Sequence, residues 1–341
     1  MIKNVDIVVG AAWGDEGKGK VTHYLASTKK NDKPYYNFVA RWNGGSNAGH
    51  TIYHEGRKFS THIVPSGIFH GITSIIGPGC VVSLKSFYEE VENLKAGGFD
   101  TSLIKIHPNA HIVTDKHIKE DKEQLAAKLG TTSSGIAPCY RDKYARVGLL
   151  AKDSDLDPSY LLTEKLYGNV LCEGAQGMWL DINYGNYPYV TSSECLPYAA
   201  CSLGFSPRAI RNIYGVAKAY DTRSGEDPDF PASLLRNPEL LAIADAGKEY
   251  GVTTGRRRKV NWLNLDKLIE ASNIAGFTHI IINKCDILKE TGKYKLYYGG
   301  KLRDFPNITE MIRFIDSVFQ VGCGNVEQVM FSFSPDLVED L

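Results

Sequence analysis

The sequence predicts an α/β protein with a mostly parallel central sheet, flanking helices and long active-site loops, folded as one domain over residues 1–341. Three observations support that expectation. Short apolar runs such as Ile7-Val8-Val9, Val170-Leu171-Cys172 and His279–Asn283 have the composition of strands buried on both faces. Between them lie stretches whose apolar residues recur at helical spacing. Glycine-rich or polar loops follow several of the strand runs directly, and the ligand loops of open α/β sheets lie at the C-terminal ends of strands.

In chain order, the first loop is Gly10 to Lys20, G-A-A-W-G-D-E-G-K-G-K, set between the Ile7–Val9 run and an amphipathic segment at 21–26. That is a strand, a glycine-rich turn and the start of a helix. Residues 38–42 read as a strand ending in Asn43-Gly44-Gly45-Ser46-Asn47-Ala48-Gly49-His50. Runs at 51–53 and 58–64 form a hairpin about Glu55-Gly56, and 74–76 is a further short strand. Ser83 caps a helix to about residue 95, with Leu84, Phe87, Tyr88, Val91 and Leu94 at helical spacing and Gly97-Gly98 as its stop.

Residues 103–106 resume a strand, 115–129 read as a polar helix, 130–146 as a second ligand loop, and a helical stretch is expected from there to about 167. The 170–172 strand delivers Glu173-Gly174-Ala175-Gln176-Gly177, and 181–191, rich in Asn, Gly and Tyr, reads as a loop. A strand at 213–219, helices at 238–250 and 264–275, and the 279–283 strand complete the main pattern, with 294–298 and 328–333 as additional strands. There is no internal repeat or linker.

Composition narrows the function. Lys plus Arg and Asp plus Glu both number 39, so no global field recruits nucleic acid or a membrane, and an anionic ligand must be held locally. No apolar run reaches the length of a membrane span, and the first residues lead into a strand rather than a signal peptide, so a cytoplasmic location is expected. The seven cysteines include no C-x-x-C pair, which suits reduced thiols better than a disulfide frame or a zinc site.

The first loop exposes backbone N–H groups and a helix N-terminus, which attract phosphate. It also holds Lys18 and two acids, Asp15 and Glu16. Acids in a phosphate cradle are costly unless they hold a metal or take a proton. Gly17-Lys18 is followed by Gly19 rather than Ser or Thr, so a Walker A kinase or GTPase loop is not supported.

His50 ends a glycine-rich loop directly after a strand. Asp15 is placed in the same way, so one acid and one histidine on neighbouring loops make a base and acid pair. The other eight histidines read as ordinary surface or core residues. Thr254-Gly255-Arg256-Arg257-Arg258 has no aromatic interleaving, and its guanidinium groups suit a small acidic substrate better than nucleic acid. Asn283-Lys284-Cys285-Asp286 at a strand end is an N-K-x-D arrangement, whose Asp accepts from the guanine N1–H and amine; adenine offers no such donor pair.

Together these stretches resemble the adenylosuccinate synthetase family. The resemblance rests on Trp13 through Lys20, Asn47-Ala48-Gly49-His50-Thr51, Gly130-Thr131-Thr132, Asp142-Lys143 through Arg146, Glu173 through Gly177, Tyr187 through Ser193, Thr253 through Arg258, and Lys284 with Asp286, all in family order. The chain is similar to the compact archaeal and phage forms, shorter than the common bacterial one between Arg146 and Glu173 and after Asp286.

The resemblance implies a Mg²⁺-requiring ligase that converts IMP, L-aspartate and GTP to adenylosuccinate, GDP and phosphate. It makes Asp15 the base at N1 of the hypoxanthine, with His50 and Lys18 stabilising charge on the transferring phosphoryl group. It assigns Asn47, Thr132, Arg146, Gln176 and Thr191 to IMP, with Arg146 reaching across a homodimer. Thr254 and Arg256 fall to aspartate. Gly17, Gly19, Thr51, Arg258, Lys284, Asp286, Ser332 and Ser334 fall to GTP, and the Asp15 carboxylate and Gly49 carbonyl to the metal.

The chain departs from the family pattern at Ser133-Ser134, Ala137 and Cys139. It also departs at Asp221-Thr222-Arg223-Ser224-Gly225-Glu226-Asp227-Pro228, near the nucleotide sugar, and at Ser332-Phe333-Ser334-Pro335, beside the guanine. A guanylate–aspartate ligase of the phage type and an inactive nucleotide-binding regulator are the alternatives. Asp15 speaks against the first, since a carboxylate placed for N1–H is crowded by a guanine 2-amino group; Asp15, Lys18 and His50 together speak against the second.

Overall fold

The computed structural model describes residues 1–126, 130–250, 255 and 257–335. Eight strands form the central sheet: β1 (Ile2–Gly10), β2 (Phe38–Arg41), β3 (Thr73–Ile76), β4 (Ile104–Ile106), β5 (Gly168–Glu173), β6 (Ile210–Lys218), β7 (His279–Asn283) and β8 (Gln328–Phe331). Their order across the sheet is β8-β7-β6-β1-β5-β2-β3-β4, and every neighbouring pair is parallel. A wholly parallel sheet puts all its C-terminal strand ends on one edge. The chain leaves β1 toward β2, β3 and β4, then returns to lay β5 and β6 on either side of it. The edge above β1 is therefore where loops from both halves meet.

The pleat explains why the strands read as continuous apolar runs. Ile7 and Val9 enter the cluster on one face while Val8 enters the other. The second face is covered by helix Lys18–Ala26 through Val21 and Leu25. Helices Leu265–Ala275 and Ile308–Gly322 cover the first. A smaller four-stranded sheet (Tyr220–Arg223, Lys259–Asn264, Lys295–Tyr298, Lys301–Asp304) packs into that cluster through Tyr220, Trp262 and Leu296. The hairpin His50–His54/Arg57–Thr61 and helix Leu84–Ala96 enclose a further core around Ile52, Phe87 and Val91.

Several expectations are corrected. Residues 130–146 are not one loop: helix Ile136–Ala145 occupies most of the stretch, starting after Gly135 in a left-handed conformation (φ 73°). Ile136, Cys139 and Tyr140 form its buried face, a short helical period obscured by Pro138 and the preceding Ser-Gly. The following stretch is irregular, with 3₁₀ turns at Ala151–Asp153 and Pro158–Tyr160 where a helix is expected. Gly148 and Pro158 interrupt any helical ladder there.

The 238–250 helix ends at Ala246, before Gly247. The expected 115–129 helix is Asp115–Glu120 followed by a π turn, Asp121–Leu125, and residues 127–129 lie outside the described ones. Helices Cys285–Thr291 and Ile308–Gly322 were not anticipated. The second shows a clear signal: an Asn307 side-chain cap and buried Met311, Ile312, Ile315 and Phe319.

Candidate active site

The two acids of the first loop separate physically. Asp15 sits in a left-handed conformation (φ 61°), which turns its side chain to solvent while Glu16 points inward. Glu16 is buried; its Oε1 accepts from the Ala12 and Gly14 N–H groups at 3.2 and 2.7 Å, and its Oε2 pairs with Lys18 Nζ at 2.6 Å. Glu16 is thus the strut of the turn and the counter-charge of Lys18.

Two glycines are required by contact. A Cβ on Gly17 (φ 99°) would meet Asn283 Nδ2 at 2.8 Å, the atom that donates to Glu16 O. A Cβ on Gly19 would lie 2.7 Å from His50 Cβ. The helix that begins at Lys18 therefore packs directly on the histidine.

His50 starts the hairpin strand after the second loop. Its Nδ1 bonds Glu173 Oε1 at the C-terminal end of β5, while Glu173 Oε2 accepts from Ser66 N–H at 2.7 Å. Glu173 is fully buried. Burial opposes its charge, but His50 and Arg41 hold its carboxyl below the usual range. Burial also lowers the His50 pKa. The resting pair is then an ionised Glu173 accepting Nδ1–H from a neutral imidazole, leaving His50 Nε2 for a ligand. Glu173 plays no part in the expected site set, because it reads as the end of a strand.

On the β2–β5 side, Asn43 ties two loops together by accepting from Ala175 N–H at 3.0 Å. That brings Gln176 to Asn47, with Gln176 Nε2 donating to Asn47 Oδ1 at 3.4 Å. Gln176 Oε1 is buried without a hydrogen-bond partner among the described residues, a polar atom left for something the loops enclose. Thr191 N–H donates to Leu180 O at 2.7 Å, in the loop that packs beneath Trp13 through Trp179.

Thr132 lies in the short loop before helix Ile136–Ala145, its hydroxyl donating to Ser134. That helix leans on the second loop through Tyr140 OH, which accepts from Gly44 N–H at 3.0 Å. Arg146 is the exposed C-cap of the same helix. Thr51 lies beside His50 on the hairpin strand, opposite Ser60.

A buried polar network underlies the other side of Asp15. Arg258 Nε pairs with Asp15 Oδ2 at 2.8 Å, and Arg258 Nη1 donates to Glu249 at 2.7 Å. Glu249 also takes Lys218 Nζ at 3.2 Å and the Tyr220 hydroxyl at 2.7 Å. Burial works against the Glu249 charge, but Lys218 and Arg258 outweigh it and hold the carboxyl at about 2. Lys218, Tyr220 and Glu249 lie outside the expected site set; Lys218 and Tyr220 are near neighbours, but Glu249 is 31 and 29 residues from them, and only the fold brings it to them.

Lys284 sits at the N-terminus of helix Cys285–Thr291, its ammonium donating to Gly247 O at 3.3 Å. Asp286 lies in that helix's first turn and accepts no hydrogen bond from the described residues. Ser332 is buried, with its hydroxyl bonded to Lys20, which also donates to Ser334 O at 2.6 Å. Lys20 therefore fastens the ends of β7 and β8 to the first loop. The proposed aspartate ligands Thr254 and Arg256 lie outside the described residues.

Asp221, one of the departures from the family pattern, is buried beneath the first loop with its Oδ2 accepting from Asn264 N–H at 2.8 Å. Burial pushes its carboxyl up to about 7. The folded state then holds a proton that the unfolded chain has released, so stability falls as pH rises from about 4 to about 7. Asp221→Asn removes this dependence. Its stability advantage over the parent should grow by on the order of 4 kcal/mol between about pH 4 and pH 8. Urea unfolding across that range checks it, and a gap independent of pH would contradict it.

The assembled edge offers a solvent-facing carboxylate, a buried ammonium on a glycine-rich turn, a carboxylate-oriented imidazole, an amide pair and an Asp at a helix start that accepts no hydrogen bond from the described residues. These can remove a proton, stabilise a transferring phosphoryl group and read a purine. An adenylosuccinate synthetase family model matches residues 7–167 and 156–322. A curated adenylosuccinate synthetase from Brevibacillus brevis is 36% identical over an alignment 385 positions long, gaps included, covering 95% of this chain and 88% of that one. The Lysinibacillus sphaericus enzyme is 35% identical with the same coverage.

Among solved structures, the fully ligated adenylosuccinate synthetase of Plasmodium falciparum superposes with a TM-score of 0.83 at 25% identity, covering 98% of both chains. The cyanophage S-2L succinoaminodeoxyadenylate synthetase bound to dGMP and dATP shares the fold, with a TM-score of 0.75 at 21% identity, covering 100% of this chain and 96% of that one.

Proposed function

The chain belongs to the adenylosuccinate synthetase family, and from that premise we propose that it joins IMP to L-aspartate at the expense of GTP, giving adenylosuccinate, GDP and phosphate. The observation that carries the reading is the division of labour in the first loop. Glu16 is consumed in holding the turn and Lys18, so Asp15 is left as its one carboxylate open to substrate.

Direct amination of the hypoxanthine would have to expel a poor oxide leaving group. Asp15 takes the N1 proton, and the electron pair moves to O6. O6 attacks the γ-phosphorus of GTP, the bond to the β–γ bridging oxygen breaks, and GDP leaves. In the substrate complex His50 takes up a solvent proton, so that Nε2–H donates to the charge on the phosphoryl group while Glu173 at Nδ1 stabilises the imidazolium. Lys18 adds a fixed positive charge. The aspartate amine then adds at C6, and phosphate departs with O6.

The donor set also suits Mg²⁺, a hard ion that takes oxygen ligands. The exposed Asp15 carboxylate and the Gly49 carbonyl would hold it, and it would supply charge neutralisation at the triphosphate. The Arg258–Asp15 pair must loosen for this, which fits an Arg258 that transfers to the nucleotide. Asp286 would read the guanine N1–H and amine, with Lys284 packed on the base.

We place Arg146 across a homodimer in a cytoplasmic enzyme. It is exposed beside Tyr144 and Val147, which are 69% and 73% exposed, a composition suited to a partner surface. Mixing Arg146→Leu and Asp15→Asn chains should restore activity that neither has alone; no recovery would argue against shared sites.

The reading as a whole is tested by offering IMP or dGMP with aspartate, Mg²⁺ and either GTP or ATP, following product and phosphate. Turnover with IMP and GTP is expected. Turnover with dGMP alone would overturn it in favour of a guanylate ligase.

A further inference from the structure

Three histidines that look unremarkable in sequence converge in space. His23 lies in helix Lys18–Ala26, His54 ends the strand His50–His54, and His70 ends the 3₁₀ turn Ser66–His70. One ring nitrogen from each falls within 4.8 Å of the other two. His23 Nε2 and His54 Nδ1 are 3.0 Å apart, and the His23 and His70 ring centroids 4.4 Å. We propose that these three imidazoles bind one transition-metal ion of the zinc class, with water as the fourth ligand.

Three features of the cluster favour an ion over a structural knot of rings. His70 Nε2 is buried with no hydrogen-bond partner among the described residues, so the cluster leaves a ring nitrogen unsatisfied. Burial first, then His70 and His54, lower the His23 pKa to about 4; burial and His54 lower that of His70 equally far. At neutral pH both rings are thus in the uncharged form that offers a lone pair. The Phe69 ring centroid lies 5.9 Å from that of His23 and 5.7 Å from that of His54, and the Phe99 centroid 5.7 Å from that of His54, an apolar wall around a cluster in which, among the described residues, His23 Nε2 and His54 Nδ1 hydrogen-bond only to each other's ring.

The donor set decides the class of ion. Imidazole nitrogens without a carboxylate suit Zn²⁺, Co²⁺, Ni²⁺ or Cu²⁺ and disfavour Mg²⁺ or Ca²⁺, which prefer oxygen. Three protein nitrogens plus a solvent position is a tetrahedral zinc arrangement. The site is therefore chemically distinct from the oxygen donors at Asp15.

Its position gives it a consequence. The helix bearing His23 begins at Lys18, the strand bearing His54 begins at His50, and the turn bearing His70 begins at Ser66, whose N–H holds Glu173. An ion joining the three would lock the spacing of the elements that carry Lys18 and His50 without touching substrate.

The test uses the full-length protein, freed of metal by chelation and kept in excess Mg²⁺. Co²⁺ is titrated in and the visible spectrum recorded, followed by displacement with Zn²⁺. Expected are one equivalent per chain, tetrahedral ligand-field bands with no thiolate charge-transfer band, and a Zn²⁺-dependent rise in the melting midpoint. His54→Gln or His70→Gln should weaken binding by more than the roughly 10–100-fold that an outer hydrogen-bond partner is worth, while His107→Gln leaves it unchanged. Absence of saturable Co²⁺ binding would overturn the proposal. So would a thiolate band in the parent protein, which needs no variant to fold, or binding that survives His54→Gln and His70→Gln combined.

Discussion

Asp15→Asn is expected to lower kcat by about 10²–10⁴-fold, the range that loss of a positioned general base produces. IMP affinity should stay within about threefold, well under the 1.4 kcal/mol that a tenfold change represents. The amide is isosteric, can keep its oxygen toward the purine N1–H and still faces Arg258, so binding geometry survives while proton acceptance does not. The left-handed backbone at position 15 is tolerated by Asn at least as well as by Asp, so the fold should be unaffected. Steady-state kinetics together with IMP titration separate the two effects. Unchanged turnover would remove Asp15 as the base. Equal loss of binding and turnover would make it a ligand-holding residue only.

Glu16→Gln should act through the structure. The carboxylate satisfies two backbone N–H groups and the Lys18 ammonium, and Glu16 and Lys18 are both buried. Gln supplies one oxygen and turns a donor toward groups that are themselves donors, stranding a buried ammonium. Breaking a buried pair from one side costs about 3–5 kcal/mol, and activity should fall with it, because Lys18 loses its anchor. Glu16→Gln combined with Lys18→Met should cost less than the two single changes added together, since the second removes the stranded charge. Urea unfolding of the four proteins completes the cycle, and simple additivity would show that the pair is not coupled.

How far the site was legible depended on whether a residue's role is local. The parallel sheet could be read because its strands are buried on both faces and spell continuous apolar runs. The phosphate-type loop could be read because Gly17 and Gly19 are demanded by close contacts within and around it. Asp15 and Glu16 are adjacent and chemically alike, yet a single left-handed residue sends one to solvent and the other into the interior. Nothing in their order specifies which.

Glu173 passed for a strand end because its partner, His50, is far away in sequence and only the adjacency of the β2 and β5 loops unites them. The same holds for Glu249 with its partners Lys218 and Tyr220, 31 and 29 residues away, and for the three histidines on separate elements. Helix Ile308–Gly322 is different: its apolar period and Asn307 cap are plain in the sequence. Helix Ile136–Ala145 was hidden by the glycine, serine and proline at its start.

The central claim is that O6 of the purine becomes an oxygen of the released phosphate. IMP labelled with ¹⁸O at position 6 should transfer that label to inorganic phosphate, one atom per adenylosuccinate formed, in a reaction that needs both aspartate and GTP. Unlabelled phosphate, with the ¹⁸O recovered in water, would mean that the purine was not activated through O6 and would contradict the mechanism.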